Sequence, residues 1–259
     1  MPEADTILAT ARRLRSALVG KPIESIEAPQ PRHAKDRWPE RLADRRVWAV
    51  DTCGKHLLLR FEGGFSLHSH LRMGGWWGVY RRPRRHGRSP RRAWLVIRTP
   101  EHEVVLFDGP VLELLTEARA RTDPRIAGLG PDVLADELDE RTFLRRLRED
   151  DATRGIGDAL LDQRNLAGVG NLWKSEGCFL AGIDPWRPLA GVGDEDALRL
   201  VRVLRAGMLE SAASGGRPRR RLVYHRAGRP CPRCGARIQA GGQGDDNRTT
   251  YWCRECQDS

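Results

Sequence analysis

Four of the six cysteines lie near the C-terminal end of this 259-residue chain, and their spacing constrains the fold more than any other feature. Two residues separate Cys231 from Cys234, and two separate Cys253 from Cys256. Eighteen residues lie between these two close pairs. Two close thiolate pairs joined by an insert of hairpin length are typical of a tetrahedral Zn²⁺ site. We therefore predict a four-cysteine zinc β-hairpin that holds one structural Zn²⁺ ion.

The chain is basic, with 45 lysines and arginines against 35 acidic residues and a formal net charge of +10. All but four of the basic residues are arginine. Arginine presents forked donors that suit phosphate, so its excess favours a polyanionic partner. A GC-rich genome that encodes arginine in place of lysine explains the same bias, and composition alone does not separate these two explanations.

Two other classes of protein are disfavoured by the sequence. No apolar run approaches the ~20 residues of a membrane-spanning helix. Residues 1–5 are polar from the start and lack the apolar core of a signal peptide. We therefore expect neither a transmembrane nor a secreted protein, and six cysteines in such a chain rarely form disulfides. Cys53 and Cys178, outside the two pairs, are expected to be small buried hydrophobic residues.

The first half of the chain predicts one helix followed by short strands. Residues 6–18 place Ile7, Leu14 and other apolar residues on one stripe, and Asp5 or Thr6 is expected to cap this helix. The predicted strands are residues 47–50, 57–61, 65–71, 94–98 and 103–107. Short strands joined by tight glycine-containing turns favour an antiparallel β-sandwich.

The second half predicts helices before the cysteine pairs. Residues 123–131 contain turn formers without a sustained period and are expected to link two domains. The predicted helices are residues 140–148, 156–161, 172–181 and 194–211. We predict an α+β chain with a β-sandwich at residues 1–122, a helical domain at 123–222 and a zinc hairpin at 223–259. Two basic segments, 81–92 and 214–221, are expected to be loops.

A tight turn precedes one of the predicted helices. Gly168, Val169 and Gly170 turn the chain, and Asn171 begins the helix. Exposed backbone amides at such a junction bind anions, and the Asn171 side chain adds a donor. An ordinary turn with a helix-capping asparagine is the alternative, and the zinc hairpin downstream weakens it.

Four features taken in chain order resemble one protein family. They are the N-terminal Met1-Pro2-Glu3, the turn at Gly54-Lys55, the Gly168-Val169-Gly170-Asn171 segment and the hairpin that runs from Arg248 to Gln257. Together they resemble the formamidopyrimidine-DNA glycosylase / endonuclease VIII family of base-excision repair enzymes, over essentially the whole chain. The resemblance implies an N-terminal β-sandwich with a leading helix, then a helical domain with a helix–two-turn–helix motif and a zinc hairpin.

The resemblance also implies a partner and a location. We expect the chain to bind damaged DNA, double- or single-stranded, as a monomer in a bacterial cytoplasm, with no membrane association. The net charge then implies salt-sensitive phosphate binding that is independent of base sequence.

The N-terminus supplies the expected chemistry. Removal of Met1 leaves Pro2 as a secondary α-amine, and α-amines titrate near ~7.7–8, so a neutral fraction exists at pH 7. A secondary amine that attacks a sugar C1′ forms an iminium ion, which expels the base and makes C2′ acidic for elimination. By resemblance Pro2 is the nucleophile, and Glu3 is the acid that opens the deoxyribose ring. A helix N-terminus favours an ionised carboxylate, so burial or DNA phosphates must keep Glu3 protonated part of the time.

Five further residues receive roles from the resemblance. Lys55 is implied as a catalytic phosphate clamp beside the lesion, although a lysine in a turn is usually only solvated. Arg248 is implied to bind the phosphates of the flipped nucleotide, and Asn171 to bind DNA. Leu71 and Met73 match the wedge that fills the gap in the DNA, and core packing is the equally weighted alternative. Zinc would hold the hairpin rigid and perform no chemistry.

Departures from the family pattern indicate the substrate. Position 6 is Thr, where the best-known branches have a second Glu. Residues 107–113 lack the Arg and Phe wedge of the 8-oxoguanine branch, and residues 211–223 are too few for its long lesion-capping loop. These differences favour the endonuclease VIII side, with oxidised pyrimidines, hydantoins and abasic sites as substrates and weak selectivity for the opposite base.

The sequence is compatible with three functions. The first is a bifunctional DNA glycosylase/AP lyase that cleaves the strand by β/δ-elimination. The second is a non-catalytic DNA-binding paralogue, in which Thr6 or a retained Met1 marks lost chemistry. The third is a zinc-ribbon factor of transcription or translation, which leaves Pro2, Glu3 and Lys55 without a role.

Overall fold

The computed structural model describes residues 2–83, 89–216, 218 and 220–257. It divides into two compact units. Pro2 and Ile7–Ala127 belong to the first, whereas Glu3–Thr6 and the chain from Gly128 onward belong to the second. The division after Ala127 falls inside the segment expected to be a linker, and the further separation of a zinc-hairpin domain stays a prediction.

The leading helix α1 spans Ala4–Leu18. It begins two residues before the predicted start, so Asp5 and Thr6 lie in its first turn and the prediction that either caps it is wrong. Its apolar stripe forms as predicted, because Ile7, Leu14 and Leu18 are all buried in the core of the first unit.

The first unit contains two antiparallel four-stranded sheets, which confirms the predicted β-sandwich. One sheet has the order β1-β6-β7-β5 and the other has the order β2-β3-β4-β8. The strands are β1 Ser25–Glu27, β2 Val47–Cys53, β3 His56–Phe61, β4 Phe65–His70, β5 Trp76–Arg81, β6 Ala93–Arg98, β7 His102–Phe107 and β8 Val111–Thr116. The helices α2 Trp38–Leu42, α3 Glu117–Thr122 and α4 Pro124–Ala127 complete the unit.

The core of this unit lies between the two sheets. Alternate residues of β3 and β4 from one sheet and of β6 and β7 from the other share one buried cluster; they include Leu57, Leu59, Phe61, Leu67, Leu95, Ile97, Val104 and Leu106. This period-2 burial is the reason the strands could be predicted. The sequence did not predict the bounds of strands β1, β5 and β8. Strand β1 has only three residues, and β8 contains adjacent leucines instead of a clean alternation.

The second unit is helical and ends in a β-hairpin. Its elements are α5 Glu140–Glu149, α6 Ile156–Ala159, α7 Asn171–Ala181, α8 Asp194–Ala213, β9 Gln239–Gln243 and β10 Arg248–Trp252. Strands β9 and β10 pair antiparallel, with Arg248 opposite Gln243. Helices α7 and α8 pack on each other around buried residues such as Cys178, Leu204 and Met208. Within the described ranges, no helix is long and apolar enough to cross a membrane.

Candidate active site

Helix α7 begins where the glycine-rich turn ends. Gly168 has φ of +105°, a left-handed conformation that favours glycine, and Gly170 is the N-cap residue. Asn171 is the first helical residue, as predicted. The turn therefore exposes the backbone N–H groups of the first turn of α7, which is the geometry of an anion site.

The anion at this helix N-terminus is the carboxylate of Glu3. Its Oε2 accepts hydrogen bonds from the backbone N–H of Gly170 at 2.7 Å and of Trp173 at 3.3 Å, and its Oε1 accepts from Leu172 N at 2.9 Å. The residue is only 3% exposed. These donors favour the charged carboxylate. The sequence predicted an anion site here but did not predict that the chain itself supplies the anion.

Gly170 is required at this position by space. Its φ is −125°, which any residue adopts, but a Cβ atom there would lie 2.4 Å from Cδ of Glu3 and 2.6 Å from its Oε1. A side chain at position 170 therefore has to displace the carboxylate. The close approach of backbone to carboxylate is possible only with glycine.

Two more contacts hold the N-terminal segment in the second unit. The buried Asp5 accepts a hydrogen bond from Ser211 Oγ at 2.6 Å, at the C-terminal end of α8. The Thr6 hydroxyl donates to the Gly216 carbonyl oxygen at 3.0 Å. Thr6, which departs from the family pattern, therefore contacts the short segment that follows α8.

The side chains of α7 also bind the hairpin. Asn171 Nδ2 donates to the Thr249 carbonyl at 2.8 Å, and Ser175 Oγ accepts from Tyr251 N at 3.3 Å. Both contacts are made to β10, the strand that begins with Arg248. Asn171, expected to bind DNA, thus already orients the neighbour of Arg248.

Two buried charged residues of α7 were not singled out by the sequence. Glu176 accepts hydrogen bonds from three successive backbone N–H groups, those of Leu222, Val223 and Tyr224, at 2.8–3.1 Å. Lys174 is fully buried, and its Nζ donates to Thr250 Oγ1 at 2.6 Å. Every residue from 173 to 179 is buried, so this part of α7 has no alternation between an apolar buried face and a polar exposed face. Without that alternation, the sequence does not indicate that Lys174 and Glu176 are buried.

The four C-terminal cysteines, Cys231, Cys234, Cys253 and Cys256, have their sulfur atoms close together. Their sulfur atoms all lie within 4.8 Å of one another, with Cys234–Cys253 at 3.5 Å and Cys231–Cys256 at 3.9 Å. A tetrahedral Zn²⁺ with Zn–S bonds of about 2.3 Å requires sulfurs about 3.8 Å apart. The residues therefore fit a metal ion. Gly235, with φ of +82°, completes the tight turn after the first pair.

Arg248 is the first residue of β10 and is substantially exposed, with 46% of its side-chain surface accessible. Its ion pair with Asp246 is long, at 3.3 Å, and Asp246 is itself mostly exposed. Such a surface pair contributes little to stability. The guanidinium can therefore exchange this partner for a phosphate at small cost.

Lys55 lies in the two-residue turn between β2 and β3, after Gly54, whose φ is +55°. Imidazole rings are stacked beside it. His56 Nδ1 is 2.8 Å from His68 Nε2, and its ring packs edge-on against His70 at 4.8 Å. Burial lowers the pKa of His56 to about 3 and that of His70 to about 4, with smaller contributions from neighbouring positive groups. The turn therefore rests on neutral, packed imidazoles at pH 7.

The structure separates the two wedge candidates. Leu71 is 3% exposed and belongs to the core of the first unit, which favours the packing alternative for this residue. Met73 lies in the turn after β4 and is 72% exposed. A side chain that enters the DNA stack has to be accessible, so Met73 is the remaining candidate.

Some predictions concern residues that lie outside the described ranges. Met1 lies outside them, so its removal stays a prediction. The basic loop 81–92 is described except for residues 84–88. Its Arg82 pairs with Glu24 and its Arg92 with Asp108, so these two arginines are held by acids of the first unit. In the segment 214–221, residues 217 and 219 are likewise outside the description.

Comparison with known proteins identifies the family. The profile of the Formamidopyrimidine-DNA glycosylase N-terminal domain matches residues 1–110, and that of the Formamidopyrimidine-DNA glycosylase H2TH domain matches residues 129–220. The chain is 42% identical to Probable endonuclease 8 2 of Streptomyces coelicolor (strain ATCC BAA-471 / A3(2) / M145), over 99% of this chain and 94% of that protein. It is 36% identical to the DNA-(apurinic or apyrimidinic site) lyase Nei2 of Mycolicibacterium smegmatis (strain ATCC 700084 / mc(2)155), over 99% of both.

A solved structure agrees with this assignment. Lactococcus lactis Fpg (MutM), in complex with a DNA that contains N7-benzyl-Fapy-dG, superposes with a TM-score of 0.84 at 25% identity and covers 100% of both chains. Profile matches cover most of the chain, and the relatives span it from end to end. The chain therefore belongs to the formamidopyrimidine-DNA glycosylase / endonuclease VIII family of DNA-repair glycosylases and AP lyases.

Proposed function

We propose that this member of the family is a bifunctional DNA glycosylase/AP lyase that uses Pro2 as nucleophile and removes oxidised pyrimidines and hydantoins. The observation that supports this most is the buried carboxylate of Glu3, held by three backbone N–H groups at the start of α7. Glu3 follows Pro2 directly in the chain, so a carboxylate with a defined position is bonded next to the proposed nucleophile. A plain N-terminal dipeptide has no need of such a site.

The reaction begins with the neutral amine of Pro2. Its nitrogen forms a bond to C1′ of the damaged nucleotide, the ring C1′–O4′ bond and the glycosidic bond break, and the base leaves with its electron pair. Glu3 takes up the proton that the Pro2 ammonium releases and delivers it to O4′, which opens the sugar. This order reconciles a carboxylate that is stabilised in its charged form with a role as an acid.

Strand cleavage follows from the iminium ion. A secondary amine cannot neutralise its iminium by losing an N–H proton, so the cation remains an electron sink. Loss of a proton from C2′ expels the 3′-phosphate. A second elimination expels the 5′-phosphate, and hydrolysis of the iminium restores Pro2.

Binding of the DNA backbone is assigned to three residues. Lys55 of the first unit and Asn171 and Arg248 of the second are proposed to bind phosphates near the lesion. One Zn²⁺ held by the four cysteines would keep the hairpin rigid, and with it the position of Arg248. The chain's similarity to bacterial enzymes supports action on the chromosome in a bacterial cytoplasm.

The substrate preference rests on the departures from the 8-oxoguanine branch. The proposed wedge is reduced to Met73, which leaves the base opposite the lesion weakly recognised. The 42% identity to a protein named Probable endonuclease 8 2 supports the endonuclease VIII side. Thr6 supports the same side and is also the feature that favours the alternative function, a non-catalytic DNA-binding paralogue.

A panel of end-labelled oligonucleotides tests the proposal. Single- and double-stranded substrates would contain thymine glycol, a hydantoin, 8-oxoguanine or an abasic site, and gels would resolve the product ends. We expect cleavage at the first two and at the abasic site, with phosphate at both ends of the gap after β,δ-elimination. Binding without cleavage of any substrate by protein whose Met1 is removed would establish the paralogue instead.

A further inference from the structure

Lys174 is a fully buried lysine in the first turn of α7, the helix that starts at Asn171. Its Nζ donates a 2.6 Å hydrogen bond to Thr250 Oγ1, and Thr250 Oγ1 in turn donates to Gln243 Oε1 at 2.8 Å. Gln243 Nε2 donates to the Pro185 carbonyl at 2.7 Å. The ammonium group thus ends a hydrogen-bonded chain that passes through both strands of the hairpin.

No acidic side chain pairs with Lys174 among its described hydrogen bonds and ion pairs, although charged groups surround it. Glu3 and Asp158 of α6 act on it as negative groups, and Arg248 of β10 acts as a positive one. Cys178 of the same helix is buried, and burial raises the pKa of its thiol to about 12, so it is neutral at pH 7. Burial, with the repulsion from Arg248, lowers the pKa of Lys174 to about 8.

A buried cation of this kind responds to whatever binds beside it. Charge interactions are stronger in the interior than in water, and a phosphate that approaches Arg248 and Asn171 places negative charge near Lys174. That charge offsets the repulsion from Arg248 and stabilises the protonated lysine. DNA binding and protonation of Lys174 therefore have to favour each other, because linkage between two ligands is reciprocal.

We propose that Lys174 is a positioning residue that holds the hairpin through Thr250 and couples DNA-phosphate binding at the hairpin to uptake of a proton. The inference rests on the proposed function, in which Arg248 and Asn171 bind phosphate. It adds a residue outside the catalytic set, and it makes the affinity for DNA fall as pH rises through the range in which free Lys174 loses its proton.

Calorimetric titration with a duplex that contains a tetrahydrofuran abasic analogue tests the coupling. The zinc-loaded protein is titrated at pH 8 in two buffers of different ionisation enthalpy, and the difference in heat gives the number of protons taken up. At this pH part of the free protein lacks the Lys174 proton, so we expect a measurable fractional uptake of protons by this residue. At pH 6.5 the residue is already protonated, and its contribution is expected to vanish.

Two variants separate charge from packing. Lys174→Arg stays charged at every pH tested, so it should lose this proton uptake and retain an affinity close to that of the wild type. Lys174→Met should lose the uptake and bind about tenfold more weakly at pH 7, within the usual range of coupling between sites. Protons taken up by the Pro2 amine remain in both variants, so the difference from the wild type isolates Lys174. Lys21→Met, in the first unit, is the matched control and should leave both quantities unchanged.

The outcomes distinguish the inference from the function on which it rests. Tight binding with the same proton count in wild type and Lys174→Arg would overturn the coupling and leave the proposed function intact. Equal affinity of Lys174→Met and wild type, at equal zinc content, would overturn the positioning role. Failure of the wild-type protein to bind the duplex would overturn the proposed function as well.

Discussion

The carboxylate of Glu3 occupies the space that a side chain at position 170 would need. The two residues are 167 positions apart in sequence, yet Gly170 N donates to Glu3 Oε2 at 2.7 Å, and a Cβ at Gly170 would lie 2.4 Å from the Glu3 carboxyl carbon. One helix N-terminus therefore fixes the residue that follows the proposed nucleophile. The glycine-rich turn thereby positions a residue of the proposed N-terminal chemistry and also leads into Asn171, which is proposed to bind DNA.

Gly170→Ala should consequently impair catalysis. The methyl group would push the carboxylate away from the N–H groups of α7, and we expect the single-turnover rate on abasic-site DNA to fall by about 10²-fold, as misplacement by ~1 Å does elsewhere. Gly193→Ala is the matched control, because Gly193 is also the N-cap residue of a helix and has nothing within 4 Å of its Cβ position. A rate for Gly170→Ala within twofold of that control would show that the position of Glu3 is unimportant.

Leu71→Ala and Met73→Ala should separate stability from DNA recognition. Leu71 lies in the core, so its truncation should lower the free energy of unfolding by about 2–5 kcal/mol. Met73 is 72% exposed, and its truncation should leave stability within about 0.5 kcal/mol while it lowers affinity for a lesion-containing duplex. Denaturant unfolding and binding titrations measure the two quantities. Unchanged DNA affinity in Met73→Ala would rule out a wedge at this position.

Cys253→Ser should release the metal and uncouple the hairpin. Cys253 belongs to the small core that the hairpin shares with Phe179 of α7, so metal loss should weaken DNA binding through Arg248. The core of the first unit contains neither residue, and its thermal unfolding should be unaffected. Atomic absorption should find one zinc ion in the wild type and in the control Cys53→Ser, and none in Cys253→Ser. An unchanged zinc content in Cys253→Ser would contradict the four-cysteine site.

Acid should destabilise the first unit before the carboxylates titrate. The pKa values of His56 and His70 are lowered by burial from about 6.5 to about 3 and about 4, so the unfolded chain binds more protons below pH 6.5. Stability is full above that pH and is lost progressively as the pH falls towards 4. We expect a lower unfolding midpoint at pH 5 than at pH 7.5, and a smaller difference in His56→Gln. A midpoint that is unchanged between the two pH values would refute the lowered pKa values of these two histidines.

Features that depend on short spacing could be predicted from the sequence. The two cysteine pairs, the turn at Gly168–Gly170 and the strands with clean alternation all have local patterns. The starts of α1 and of α5 to α8 were predicted within two residues, whereas the short helices α2, α3 and α4 were not predicted. The error at α1 arose because Asp5 has a capping side chain that the structure uses for Ser211 instead.

Partners that come together only on folding could not be predicted. Nothing near Glu3 indicates that its carboxylate binds the start of α7, and nothing near Lys174 indicates that its ammonium is buried. A charged residue between Trp173 and Ser175 has no local pattern that distinguishes a buried helix face from a solvated one. Leu71 and Met73 are two residues apart, and only the structure shows that one is packed and the other exposed.

Borohydride trapping tests whether the Pro2 nitrogen is the nucleophile. Protein lacking Met1 is incubated with abasic-site DNA and sodium borohydride, and the cross-linked peptide is sequenced by mass spectrometry. We predict one covalent adduct, located on the nitrogen of Pro2 and absent from protein that retains Met1. An adduct on Lys55 or Lys174, or no adduct with correctly trimmed protein, would show that Pro2 is not the nucleophile.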